Sequence, residues 1–172
     1  QEVVRPSARK LYEAYHETVN VAILEPDHDE VYRSVIVLKE EGGHQMLTVN
    51  LPVGASVECH STSGGKCLLA FGRNIDLSVY EKRPLHAYTD RTITSATELR
   101  AELEQVRRQG YAMDRDEMEH GLTCIGVPIL REDGTALAAI SLSGPTSRML
   151  SGDLDERVEA VKRIAREIAA RF

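Results

Sequence analysis

The chain has no tryptophan, only two phenylalanines among its 172 residues, and aromatic side chains amount to 5%. Leucine, isoleucine, valine and alanine must therefore build the core. Three cysteines form an odd set with no C-x-x-C pair, which argues against a disulfide framework and makes a reducing cytoplasm the simplest location. No run of about 18 apolar residues exists, so no segment reads as a membrane-spanning helix; an apolar signal region is also missing at the N-terminus. Basic residues are outnumbered, 21 Lys and Arg against 27 Asp and Glu, for a net charge of −6. That balance provides no electrostatic footprint for DNA or RNA and none for an anionic membrane. Repeats, low-complexity tracts and Pro/Ser-rich linkers are absent too, which leaves one domain of ordinary size. The sequence opens at Gln1 without a start methionine or a helix cap, as expected of a piece of something longer.

What is present is a clear alternation of periods. Val4, Ala8, Leu11, Tyr12 and Tyr15 recur at helical spacing. Three strand-like runs follow, Val19 to Leu24, Val31 to Leu38 and Gln45 to Leu51, joined by Pro26-Asp27-His28-Asp29 and Glu40-Glu41-Gly42-Gly43. Both joints are turn chemistry, so an antiparallel meander is predicted. A polar stretch from Pro52 to Gly65 opens a helix over Ser63 to Phe71. Ser95-Ala96-Thr97-Glu98 is a capping box starting a second helix, with Leu99, Leu103 and Val106 on one face and Gly110 as its stop. Strands Tyr111–Asp114, Leu122–Leu130 and Ala136–Ser143 come next. A last helix from about Gly152 buries Leu154, Val158, Val161, Ile164 and Ile168. The order αβββααβββα predicts an α+β domain, an antiparallel sheet with helices packed on it.

Chemistry concentrates between Gly110 and Arg148. Leu122 and Cys124 lie two apart on one predicted strand, Ser141 and Ser143 two apart on the next, and Asp114 sits upstream where a strand would end. Side chains two apart share a face of a strand, so a thiol, two hydroxyls and a carboxylate can form the floor of a small polar pocket. The alternative is a buried hydrophobic thiol beside ordinary strand serines. Ser61, Thr62 and Ser63 are all candidate N-caps, and Gly64 and Gly65 permit close approach to the helix backbone, a favourable seat for a carboxylate. Gly64-Gly65-Lys66 is not a phosphate-binding P-loop: His60 occupies the position of the required first glycine, and Cys67 replaces the magnesium-binding Ser/Thr. His60 reads as structural. Arg115, Asp116, Glu117 and Glu119 read as a solvated connection. A thiol triad of Cys124, His60 and Asp114, or zinc held by Cys59, His60, Asp114 and Cys124, remains an alternative, although neither spacing specifies it.

Three segments together resemble one family. They are His60-Ser61-Thr62-Ser63-Gly64-Gly65-Lys66 followed by Leu68-Leu69-Ala70; Gly110-Tyr111-Ala112-Met113-Asp114 through Gly121-Leu122-Thr123-Cys124-Ile125-Gly126-Val127-Pro128; and Ala139-Ile140-Ser141-Leu142-Ser143-Gly144-Pro145. In this order and spacing they are similar to the C-terminal effector-binding domain of the isocitrate lyase regulator (IclR) type of bacterial transcription factor, from about Glu17 to Phe172.

The resemblance implies a GAF-like, profilin-like fold, a curved antiparallel sheet of about six strands flanked by helices over residues 1–172. It also implies an upstream winged helix-turn-helix that this chain does not contain. Further implications are a small organic acid as effector, a homodimer or homotetramer, DNA contact only through the missing segment, and neither catalysis nor a cofactor. The implied effector contacts are Ser63, Gly64, Asp114, Leu122, Cys124, Ser141 and Ser143, with Val49 and Val57 as apolar wall; Met46 also matches, at the opposite parity to Val49. Two departures are Ser63-Gly64, where relatives often carry Gly-Ala or Ala-Leu, and Cys59, where an aliphatic residue is usual. An ionised Asp114 would repel an acid, so it fits a hydroxylated ligand or a protonated carboxyl.

Overall fold

The structure, a computed structural model, describes residues 1–25, 31–41 and 51–172. Six strands form one antiparallel sheet: β1 (Thr18–Leu24), β2 (Arg33–Glu40), β3 (Ser56–Glu58), β4 (Ala112–Arg115), β5 (Leu122–Leu130) and β6 (Ala136–Pro145), in the order β3-β2-β1-β6-β5-β4. The register of β1 on β2 shifts between Val21 and Ala22, and that of β5 on β6 shifts between Ile129 and Leu130. Such bulges strengthen the twist, and the sheet curls into a half-barrel.

Strand alternation divides the sheet into two faces. Val19, Val21, Ile125, Val127, Ile140 and Leu142 point to one side, where α1 (Arg5–Tyr15) and α5 (Leu154–Ala169) cover them with Leu11, Val158, Val161 and Ile168. On the other side α2 (Ser63–Phe71) lies on β5 and β6 and is backed by α3 (Ala96–Gln109), through Cys67, Leu68, Leu99, Leu103, Ala112 and Ala139. The caps follow the sequence. Ser95 accepts a hydrogen bond from the Glu98 N–H at the start of α3, and Gly110 ends that helix at φ 81°, a left-handed conformation that glycine adopts without strain.

Two details depart from the sequence expectations, and one expectation lies outside the described residues. The strand beside β2 is Ser56–Glu58, inside the stretch expected to be a polar connection. The expected strand Gln45 to Leu51 lies, except for Leu51, outside the described residues, as do Val49, Met46 and the turn at 26–29. Short helical turns at Cys59–Ser61 and Leu77–Glu81, and the one-turn helix α4 (Thr146–Met149), were not anticipated, since segments this short carry no periodicity to read.

Candidate functional site

The polar positions of the second face meet in a cavity between the sheet and the start of α2. Backbone pairing makes the meeting compulsory: Asp114 is opposite Cys124, Cys124 opposite Ser143, and Ser143 opposite Thr18. One row further, Gly126, Ser141 and Asn20 are in register. Val57, Ser63, Gly64, Asp114, Leu122, Cys124, Ser141 and Ser143 all line this one cavity. Thr18, Asn20, Ser34, Ile36, Met118 and Arg148 line it too, and the sequence reading had not singled these out. The parity of Thr18, Asn20 and Ala22 on β1 was the available signal. Among the described residues Asn20 Oδ1, buried there, has no hydrogen-bond partner.

The roof is the first turn of α2. Thr62 is its N-cap; its Oγ1 accepts a hydrogen bond from the Gly65 N–H at 3.0 Å. The N–H groups of Ser63 and Gly64 precede the first intrahelical donor, Lys66, which bonds the Thr62 carbonyl, so they are left for another acceptor. Two glycines let this turn pack closely, Gly126 against the sheet and Gly65 against the turn at Cys59. A Cβ at Gly126 would come within 2.6–2.9 Å of the Ser63 and Gly64 backbone, and one at Gly65 within 2.4 Å of the Cys59 carbonyl oxygen.

Asp114 is 1% exposed. Its Oδ1 accepts hydrogen bonds from the N–H groups of Glu117 (2.8 Å) and Met118 (3.3 Å). Burial still dominates, and with Glu117 nearby it pushes the carboxyl up to about 7. Beneath it lies a group the sequence reading placed wrongly. Glu117, expected in a solvated connection, is buried, and both its oxygens accept from Lys66 Nζ at 2.7 and 2.9 Å. Lys66 is fully buried and also donates to the Met113 carbonyl at 2.8 Å. The pair ties α2 to the loop after β4 and holds the Asp114 turn in place. A lysine four residues after an N-cap would ordinarily be solvated, so nothing in the spacing signalled this.

The thiols and the histidine are not assembled for chemistry. Burial raises the Cys124 thiol well above its ordinary value, and the charge of Asp114 raises it further, which keeps it protonated and a poor nucleophile. Cys59 is fully buried in the core around α2, and the same desolvation raises its thiol. His60 Nε2 bonds the His86 carbonyl oxygen at 2.8 Å, and burial lowers the pKa of its ring. Neither Cys59 nor His60 is among the residues that line the cavity with Cys124. Among the described residues no group of three or more His, Cys, Asp and Glu is placed to hold a metal ion, and no helix is long and apolar enough to cross a membrane.

A curled six-stranded antiparallel sheet, helices on both faces and a polar cavity under a helix start define an α+β domain of the GAF-like kind. Residues 1–170 match the family described as "Bacterial transcriptional regulator IclR C-terminal", and the chain belongs to that family. Among its relatives, the HTH-type transcriptional regulator BhcR of Paracoccus denitrificans is 37% identical over 169 residues, 98% of this chain and 58% of that protein. The chain thus spans about three fifths of the length of this curated relative. Among solved structures, IclR of Thermotoga maritima superposes with a TM-score of 0.86 at 29% identity, covering 99% of this chain and 67% of that one. An IclR homologue from Microbacterium hydrocarbonoxydans, solved in complex with 4-hydroxybenzoate, gives a TM-score of 0.83 at 25% identity over 98% of this chain and 66% of that one.

Proposed function

We propose that this chain is the effector-sensing domain of a cytoplasmic transcriptional regulator and takes up a small organic acid, hydroxylated by preference, in the cavity under α2. The observation that carries this reading is the meeting of two backbone N–H groups at a helix start, without an acceptor among the described residues, with Asp114, Cys124, Ser141 and Ser143 on one sheet face. The helix start supplies donors and a positive dipole end for the carboxylate, and Gly64 keeps the approach open. Ser141 and Ser143 are rotatable hydroxyl donors. Asp114, about half protonated at neutrality and largely protonated below it, can donate to a ligand oxygen, and Asn20 Oδ1 can accept from a ligand hydroxyl. Leu122, Val57 and Ile36 supply apolar wall, with Val49 proposed for the same wall. The 4-hydroxybenzoate bound by a relative is itself a hydroxylated carboxylate.

Occupancy would bias the arrangement of subunits in a homodimer or homotetramer, and so the spacing of DNA-binding segments on their half-sites. DNA is then a partner only through another part of the protein, and the domain performs no catalysis and needs no cofactor. A thermal-shift screen of small hydroxylated and plain carboxylic acids tests the site. Stabilisation by at least one acid that disappears in Ser143→Leu supports it; equal shifts in parent and variant overturn the assignment.

A further inference from the structure

The cavity has a second charged end that a single carboxylate at α2 leaves unused. Arg148, on α4, lines the cavity with its side chain 58% exposed. Its Nε and Nη2 both donate to Glu17 Oε1, at 3.2 and 2.7 Å. Glu17 is a fixed anchor: its side chain is only 8% exposed, and it is wedged against Gly144, where a Cβ would collide with its Oε2. Arg148 is thus gripped along one edge, and among the described residues its Nη1 donates to no protein acceptor. A guanidinium held on one side offers the other as a planar fork for a carboxylate or phosphate, and the ordering cost is already met by the protein.

The two anion seats belong to different elements, α2 and α4, and meet different rows of the sheet. The α2 start sits over Gly126, whereas Arg148 is held on Glu17 beside Gly144, with α4 following Pro145, which is opposite Leu122. Gly126 and Leu122 are four residues apart on one strand, about 13 Å between Cα atoms, and the reach of the arginine stem shortens the gap. A monocarboxylate can occupy only one seat.

We propose that Arg148 is the specificity-determining residue of this pocket and selects acids with a second anionic group, dicarboxylates of roughly four to six carbons by this span. The proposal rests on the cavity being an acid site. It is tested by calorimetric titration of the domain with matched pairs: 2-hydroxybutyrate and malate, butyrate and succinate, valerate and glutarate, hexanoate and adipate. In the parent, the dicarboxylate of at least one pair binds at least about tenfold tighter than its partner. Arg148→Met removes that advantage and leaves monocarboxylate affinity within about twofold, while Arg148→Lys keeps part of it, as a charge without the fork should. Because Arg148→Met strands a buried carboxylate, the double variant Glu17→Gln/Arg148→Met, which removes both charges, serves as the folding control and must lose the preference too. Monocarboxylates binding as well as dicarboxylates in the parent, or a preference that survives in the double variant, overturns the role of Arg148 and leaves the acid site standing. Failure of every acid to bind the parent overturns both.

Discussion

Asp114 is where protonation and ligand binding meet. Its carboxyl is raised to about 7 by burial, so the folded state holds a proton that an unfolded chain gives up near pH 4. Stability from this group is therefore fully present below about pH 4 and is lost progressively as pH rises from there through about 7. Binding of an anion should follow the same direction: affinity falls by up to about tenfold per pH unit above 7 if only the protonated carboxyl accommodates the acid. Asp114→Asn should flatten the dependence in titrations between pH 6 and 8.5; an unchanged slope would remove Asp114 from the recognition. Cys124 is a different case, a protonated thiol on the cavity wall. Cys124→Ser should change acid affinity by about 1 kcal/mol in either direction with the fold retained, and Cys124→Leu should block binding by filling the space. A turnover of esters or thioesters lost in Cys124→Ser would contradict this role.

Element positions turn on glycines and one buried ion pair. Gly126 and Gly64 make a matched test. A Cβ at 126 would press on the α2 backbone, whereas one at 64 would meet only the Ala139 methyl at an ordinary 3.7 Å. Gly126→Ala should therefore lift the helix start from the sheet, costing about 1–3 kcal/mol along with acid binding, while Gly64→Ala should be tolerated in folding. Chemical denaturation and calorimetry measure both. The Lys66–Glu117 pair is tested by Lys66→Met, expected to cost about 3–5 kcal/mol because a buried carboxylate loses its partner; adding Glu117→Gln should recover most of it. This pair also marks the limit of reading a sequence. Periodicity and cap residues located α1, α2, α3, α5 and five of the strands, because burial faces repeat at 3.6 or 2 residues, and strand parity brought Cys124, Ser141 and Ser143 to one face. Glu117 was misplaced because charge reads as solvent exposure until a partner from another element is known. Ser56–Glu58 was missed because three residues are too few to show alternation, and its pairing with β2 is a long-range choice.

At the scale of the whole molecule, the two faces of the sheet have separate tasks. One is closed by α1 and α5 over a continuous aliphatic core; the other carries α2, α3 and the cavity. The acidic balance of the chain, −6, sets a general field against anions, so an acid's carboxylate must be drawn in by local donors at the α2 start, with Arg148 proposed only for a second anionic group. Those local donors hold the central claim, and determining the structure of the domain with the acid that stabilises it most tests them directly. The expected result is ligand density in the cavity with a carboxylate oxygen within about 3 Å of the Ser63 and Gly64 N–H groups, and Ser141 or Ser143 donating to the same molecule. A ligand bound elsewhere on the surface, with the cavity under α2 empty of it, would contradict the account.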